Sequence, residues 1–140
     1  MLLNTDNIDA DILFLQFDEL DGSGHSYGFS PLVEEYTNTA SILDNYSEEL
    51  FNIIENRRSI GEDWIYFIIS DHGGEGTGHG DADNPNINQT IFFAQHPSLQ
   101  FKANCCYQSS QADLAPTILH FLGISSSQFE FNTDGRSVLE

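Results

Sequence analysis

Apolar residues in this chain fall into three short runs and two longer periodic stretches. The runs at residues 11–17, 64–70 and 90–94 have the length of β-strands. The first two are almost wholly apolar, as strands buried on both faces of a parallel sheet are. Apolar side chains recur every three or four residues, or at sums of these, over residues 30–58, which predicts a long amphipathic helix. A second helix is predicted over residues 112–124.

Several residues predict where these helices begin and end. Ser30 suits the N-cap of the long helix, and Pro31 suits its first helical position. Arg57 stands near its C-terminal end, where positive charge opposes the helix dipole. In the second helix, Pro116 lies near the start and Gly123 marks the end. Leu32, Tyr36, Leu43, Tyr46, Leu50 and Ile53 recur on one face of this helix. We expect the helix to cover one face of the sheet and to bury Leu32, Tyr36, Leu43, Leu50 and Ile53.

The order of these elements predicts the fold class. Strand, helix, strand, loop, strand and helix in succession indicate an α/β protein with a mostly parallel sheet flanked by helices. No internal repeat or linker divides residues 1–140, so a single domain is expected. In open sheets of this kind, ligands bind beyond the carboxyl ends of the strands.

Net charge narrows the classes of partner. The 140 residues include 22 acidic and 4 basic ones, a formal charge of -18. Nucleic-acid polymers and anionic membrane surfaces are unsuitable partners, because both are bound through clustered Lys and Arg. No apolar run reaches transmembrane length, and the N-terminus does not resemble a signal peptide. Cys105 and Cys106 are adjacent, so we interpret them as free thiols or as partners of cysteines elsewhere.

Metal-type side chains follow the first predicted strand. Asp18, Glu19, Asp21 and His25 lie in the glycine-rich stretch "DELDGSGHSYGF", which we interpret as a loop. Carboxylate and imidazole are good ligands for zinc and similar metals. A plainer interpretation is a helix cap or a surface histidine, but a second cluster of the same kind follows the next strand.

That second cluster lies in "DHGGEGTGHG". Asp71 and His72 follow the predicted strand, and His79 comes after a stretch of glycines that can turn sharply. Two such clusters at equivalent strand ends favour a metal site over isolated structural residues. His96 and His120 are interpreted as structural.

Three motifs in sequence order resemble the C-terminal half of the catalytic domain of the alkaline phosphatase superfamily. They are "FDELDGSGHSYG", "ISDHGGEGTGHGDADN" and "ADLAPTILHFLGI", and the likeness around them covers residues 11–124. The chain resembles the type I phosphodiesterase/nucleotide pyrophosphatase branch and its bacterial alkaline-phosphatase-like kin. The resemblance implies an alkaline-phosphatase-like fold, of which residues 1–140 would be a partial domain.

The resemblance also implies a set of metal ligands. Asp21, His25 and His79 match the residues that hold one zinc in the superfamily. Asp71 and His72 match residues that hold the second. Two divalent ions are therefore expected, most naturally Zn2+, with Mn2+ also acceptable to these ligands.

The chain departs from the superfamily pattern before residue 11. Members carry a Ser or Thr nucleophile and a further metal-binding Asp upstream, and neither has a counterpart here. The sequence is therefore expected to correspond to the second half of one catalytic domain, with its nucleophile outside the chain.

The resemblance implies a metal-dependent hydrolase of small phosphate esters, a phosphodiesterase or phosphatase. The alternatives are a phosphotransferase of the same superfamily, similar to phosphoethanolamine transferases, a sulfatase or phosphomutase relative, and a non-catalytic metal-binding module. His25 and His79 argue against a sulfatase, whose ligand set contains Asn. Relatives are mostly periplasmic, secreted or lumenal, which favours such a compartment.

Overall fold

The structure, a computed structural model, describes residues 10–102, 109–129 and 132–140. Cys105 and Cys106 lie outside these residues. The chain divides into two compact units. The first unit holds the described residues up to Asp63 together with Gly74–Gly78, and the second holds Trp64–Gly73 with the described residues from His79 onward. No helix in the described part of the chain is long and apolar enough to cross a membrane.

The first unit contains a helix where the sequence predicted a loop. Helix α1 spans Glu19–Tyr27, with acidic residues in its first turn, where they favour the helix dipole. The loop prediction rested on glycine, which is costly inside a helix. Gly24 has a packing role instead: a Cβ built there would lie 2.3 Å from the ring of Phe29. The prediction was wrong because close packing and chain flexibility both select glycine.

Helix α2, Glu34–Ser59, is the long helix that the periodicity predicts, but it begins later than expected. Val33 is its N-cap, while the Ser30 hydroxyl accepts a hydrogen bond from the Leu32 amide at 3.2 Å within a preceding turn. Leu32 therefore lies outside the helix with 94% of its surface exposed, so its predicted burial was wrong. The predicted C-terminal charge is confirmed, since Arg57 lies in the last turn.

Aromatic contacts pack α1 and its flanking residues against α2 in the first unit. The ring of Phe29 meets that of Tyr36 at 5.8 Å, and Phe17 stacks on Tyr46 at 6.0 Å. Leu50 is buried, and full burial of such a side chain is worth about 1.5–3 kcal/mol. Apart from Leu32, the face predicted for burial is confirmed as buried or half-buried: Tyr36, Leu43, Tyr46, Leu50 and Ile53.

The apolar run at residues 11–17 does not form the strand that the sequence predicted. Its residues lie outside any helix or strand, and Phe14 is 72% exposed. An apolar run needs a hydrogen-bonded partner to become a strand. The apolar composition of these residues indicates a preference for burial, but it does not identify a strand with which they could pair.

The second unit contains two paired strands at the predicted places. Strand β1 spans Tyr66–Ile69 and strand β2 spans Phe92–Gln95. They pair antiparallel, with Tyr66 opposite Gln95 and Ile69 opposite Phe92. Two strands do not test the mostly parallel, alkaline-phosphatase-like sheet, which stays a prediction, as does the single partial domain. The short helix α3, Pro85–Asn88, lies between the strands in sequence.

The last helix, α4, spans Leu114–Phe121 and confirms the second predicted helix. A 3₁₀ turn at Gln111–Asp113 leads into it, and another spans Ser126–Gln128. Gly123 ends it with a positive φ of 80° and donates to the carbonyl of His120 at 2.9 Å. Val138, 5% exposed, packs into the small core of this unit.

Two glycines of α1 give a matched test of this packing. Gly24→Ala should lower the free energy of unfolding by about 1–3 kcal/mol, because its methyl group overlaps the Phe29 ring. Gly22→Ala places its methyl group in open space and should raise stability by roughly 0.5–1 kcal/mol through backbone entropy. Urea unfolding followed by circular dichroism measures both. Equal stability of the two variants would show that Gly24 has no packing role.

Candidate metal centre

In the first unit, α1 places Asp21 and His25 on one face. They are four residues apart, and their side chains lie together because this spacing is about one helical turn. The Nε2 atom of His25 lies 3.6 Å from Oδ2 of Asp21, and each side chain is nearly half exposed. The helix thus creates a carboxylate–imidazole pair from residues that the sequence assigned to a loop.

The segment Gly74–Gly78 orients the ring of His25. The Nδ1 atom of His25 lies 2.9 Å from the carbonyl oxygen of Thr77. A carbonyl only accepts, so Nδ1 carries a proton, and in the neutral imidazole the lone pair is then on Nε2. The segment is held in place by paired backbone bonds between Glu75 and Gly78 and by the Phe29 amide, which donates to the carbonyl of Gly76 at 2.7 Å.

In the second unit, Asp71 and His72 follow β1 directly. The Nε2 atom of His72 lies 3.6 Å from Oδ2 of Asp71, and the Nδ1 atom of His72 lies 2.9 Å from the carbonyl oxygen of Gly73. This carbonyl again requires the proton on Nδ1, which leaves the lone pair on Nε2. Asp71 is strongly exposed, whereas His72 is half-buried. The two units therefore contain the same Asp–His arrangement.

His79 joins Asp71 and His72 in the second unit. Its ring stacks on that of His72, with centroids 3.9 Å apart and an interplanar angle of 24°. Sequence reasoning assigned these two imidazoles to different metal ions. Ligands of neighbouring ions can stack in this way, so the assignment stays a prediction. Of the remaining acidic candidates, Asp18 accepts a hydrogen bond from Gln16 at 2.8 Å.

The spacing within each Asp–His pair suits a shared metal ion. A distance of 3.6 Å is longer than the usual 2.7–3.2 Å hydrogen bond. At a tetrahedral zinc with bonds of about 2.0–2.2 Å, neighbouring ligand atoms lie about 3.4 Å apart. With Nδ1 fixed as the donor to a backbone carbonyl, each imidazole has the form that a metal-bound histidine requires. The donor set therefore fits zinc or a similar ion.

A cavity of about 500 Å³ adjoins the second pair. Asp71, His72 and His79 form part of its wall. The rest of the wall mixes polar and apolar residues and comprises Gly80, Ala82, Ile87, Asn88, Thr90, Ser109, Ser110 and Gln111. None of the described residues that line the cavity is Lys or Arg. An anion in the cavity would therefore need a positive charge from another source, such as a bound metal ion.

Sequence reasoning missed Gln111. Its amide nitrogen donates to the carbonyl of Ser70 at 3.2 Å and to the carbonyl of Asp71. These contacts join residues 41 and 40 positions apart, and no local pattern signals them. The two histidines interpreted as structural lie outside the cavity wall: His96 accepts from the Leu99 amide at 3.1 Å, and His120 lies 2.8 Å from the Ser137 hydroxyl.

Asp21 also acts on a neighbouring tyrosine in the first unit. Burial raises the pKa of the Tyr36 hydroxyl above its ordinary value of 10.0, and the negative charge of Asp21 raises it further. Tyr36 is therefore protonated at neutral pH. The pKa of Tyr36 therefore depends in part on the charge of Asp21.

Comparison with known proteins gives one partial similarity. No protein-family model matches the chain, and no solved structure matches it significantly. Lipoteichoic acid synthase from Staphylococcus saprophyticus is 29% identical over 109 residues, which cover 69% of this chain and 17% of that enzyme. The chain thus spans about a sixth of the length of this relative. Because the relative is an enzyme of the alkaline phosphatase superfamily, the similarity supports that superfamily and a phosphoester-related function, and nothing finer.

The backbone contacts of the histidines predict their tautomers. Imidazole ¹⁵N chemical shifts above the titration range should show His25 and His72 protonated at Nδ1. His96 is the control, because its Nδ1 accepts from the amides of Ser98 and Leu99 and must therefore be protonated at Nε2. If His25 and His72 share the tautomer of His96, the carbonyl contacts do not orient them for a metal.

The influence of Asp21 on Tyr36 predicts a pKa change. In metal-free protein, Asp21→Asn should lower the pKa of Tyr36 but leave it above 10.0, because burial persists. The folded state disfavours the phenolate, so the contribution of Tyr36 to stability is present below the unfolded pKa and lost as pH rises through the folded pKa. Ultraviolet titration, with Tyr36→Phe subtracted, measures the change. An unaltered pKa in Asp21→Asn would mean that this carboxylate does not act on Tyr36.

Proposed function

We propose that this chain contributes metal ligands to an enzyme that acts on phosphate esters. The observation that carries the proposal is the repeated Asp–His pair, with 3.6 Å between Oδ2 and Nε2 in each and a backbone carbonyl on each Nδ1. The partial similarity to lipoteichoic acid synthase supports the same class of chemistry. The five candidate ligands are Asp21, His25, Asp71, His72 and His79.

The donors suit two divalent ions, zinc or manganese. In the second unit, Asp71, His72 and His79 offer one carboxylate and two imidazoles, and in the first unit Asp21 and His25 offer one of each. When bound, a pair of such ions would polarise the phosphoryl group and activate an attacking oxygen.

The residues of the chain have separate roles in this proposal. The carbonyl groups of Thr77 and Gly73 orient the His25 and His72 rings through Nδ1, so that Nε2 of each ring would be the atom that coordinates the metal. The polar wall formed by Asn88, Thr90 and Ser109 offers hydrogen-bonding groups to the ester. Neutralisation of the phosphate falls to the metal, because the described cavity wall includes neither Lys nor Arg.

Hydrolysis is the first form of the reaction that we propose, as the resemblance implies. Transfer of the phosphoryl-containing group to an alcohol is the second, and the name of the similar enzyme, a synthase, favours it. The products distinguish the two. With p-nitrophenyl phosphate and an added alcohol, hydrolysis releases nitrophenol and phosphate in equal amounts, whereas transfer releases more nitrophenol than phosphate.

Metal titration tests the proposal at its first step. We expect zinc to bind and to raise the melting temperature, since a ligand at 100 times its Kd adds about 2.7 kcal/mol to the stability of the native state. His72→Gln and His79→Gln should each weaken zinc binding by more than about tenfold, because each removes a donor nitrogen. His120→Gln is the matched control, because this residue lies outside the cavity wall and should leave zinc affinity unchanged. Calorimetry measures all four proteins.

Phosphate-ester binding separates an enzyme site from a plain metal module. With Mn2+ bound, the ³¹P signal of phenyl phosphate should broaden strongly with the original chain and weakly with His72→Gln. Turnover of a p-nitrophenyl phosphodiester is expected to stay low, since the superfamily nucleophile has no match among the motifs of this chain. Metal binding without ³¹P broadening would favour the non-catalytic module, and absence of zinc binding would overturn the proposal.

A further inference from the structure

The side chain of Gln111 contacts the backbone where β1 ends and the candidate metal residues begin. Its Nε2 atom donates to the carbonyl of Ser70 at 3.2 Å and to the carbonyl of Asp71. Both acceptors are carbonyl oxygens, so the contacts require the NH₂ group and fix the orientation of the amide. One side chain thus binds two consecutive carbonyls, the second of which belongs to a candidate ligand.

The turn that carries Gln111 is held by a buried carboxylate. Asp113 is only 7% exposed, and its Oδ2 accepts a hydrogen bond from the Ser110 amide at 2.8 Å. Its Oδ1 accepts from the Arg136 amide at 2.7 Å. The Ser110 side chain completes a capping box with Asp113, so the turn that carries Gln111 is bonded at both ends.

A buried threonine extends this network. Thr117 has no exposed surface, donates to the carbonyl of Asp113 at 2.6 Å and accepts from the Val138 amide at 3.0 Å. Buried polar groups with satisfied hydrogen bonds rigidify their surroundings. Gln111 therefore starts from a fixed turn, although its own side chain is exposed.

We propose that Gln111 is a positioning residue for the metal-binding pair Asp71–His72. The carbonyl of Asp71 and the amide of His72 belong to one planar peptide group. A fixed direction for that carbonyl also fixes the His72 N–H, which donates to Oδ1 of Asp71 at 3.0 Å. Gln111 thereby sets the directions in which both side chains leave the backbone. This inference rests on the proposed metal function of the pair.

Two substitutions separate hydrogen bonding from packing at Gln111. Gln111→Met keeps the length of the side chain but has no donor, and Gln111→Ala removes both length and donor. If the amide positions the pair, both variants should bind zinc roughly 10- to 100-fold more weakly, the usual effect of losing a residue that orients metal ligands. Gln89→Met is the control. This glutamine is exposed in the same unit and lies outside the cavity wall, so its zinc affinity should be unchanged.

Calorimetric zinc affinity and amide hydrogen exchange at His72 provide the readouts. The proposal expects weaker affinity and faster His72 exchange in Gln111→Met, with the Asp113 network and the melting temperature of the metal-free protein preserved. Zinc affinity equal to that of the original chain in Gln111→Met would overturn the positioning role while leaving the metal function standing. Failure of the original chain to bind zinc would instead overturn the metal function, and this inference with it.

Discussion

Two consecutive glycines permit the close contacts on which the candidate site depends. A Cβ at Gly73 would lie 2.1 Å from the carbonyl oxygen of Asn86, and a Cβ at Gly74 would lie 2.3 Å from the ring of Phe29. Gly73 also donates to the carbonyl of Ile87 at 2.7 Å. Any larger residue would have to displace a backbone or a packed ring. These contacts hold the backbone whose carbonyl groups orient the imidazoles of the candidate ligands.

The sequence predicted those parts of the fold whose signal is burial. Helices α2 and α4 lie where apolar periodicity placed them, and strands β1 and β2 overlap short apolar runs, because both patterns follow from burial of the side chains. Helix α1 was missed because glycine selected for contact with Phe29 looks like glycine selected for a turn. The strand at residues 11–17 was wrongly predicted because strand formation needs a partner that the run itself does not identify.

The candidate site was predictable in its chemistry and less so in its geometry. The Asp71–His72 pair follows from adjacency at a strand end, whereas the spacing of Asp21 and His25 brings them together only because they lie on helix α1, which the sequence assigned to a loop. The stacking of His79 on His72 depends on the path of the loop between them, which composition does not specify. Gln111 was beyond reach, because its contacts join segments about 40 residues apart.

With so acidic a composition, the proposed phosphate-ester function relies on bound metal for the positive charge that the described cavity wall does not supply. Three of the four basic side chains already bind within the protein: Arg57 to Glu62, Arg58 to Glu55, and Lys102 to the carbonyl of Ser137. A phosphate near Asp71 would otherwise meet like charge, whereas a bound divalent ion reverses the sign of the local field. Metal and phosphate binding are then thermodynamically linked, and each must raise the affinity for the other by the same factor. On this proposal, bound metal offsets the repulsion between the acidic residues of the site and a phosphate.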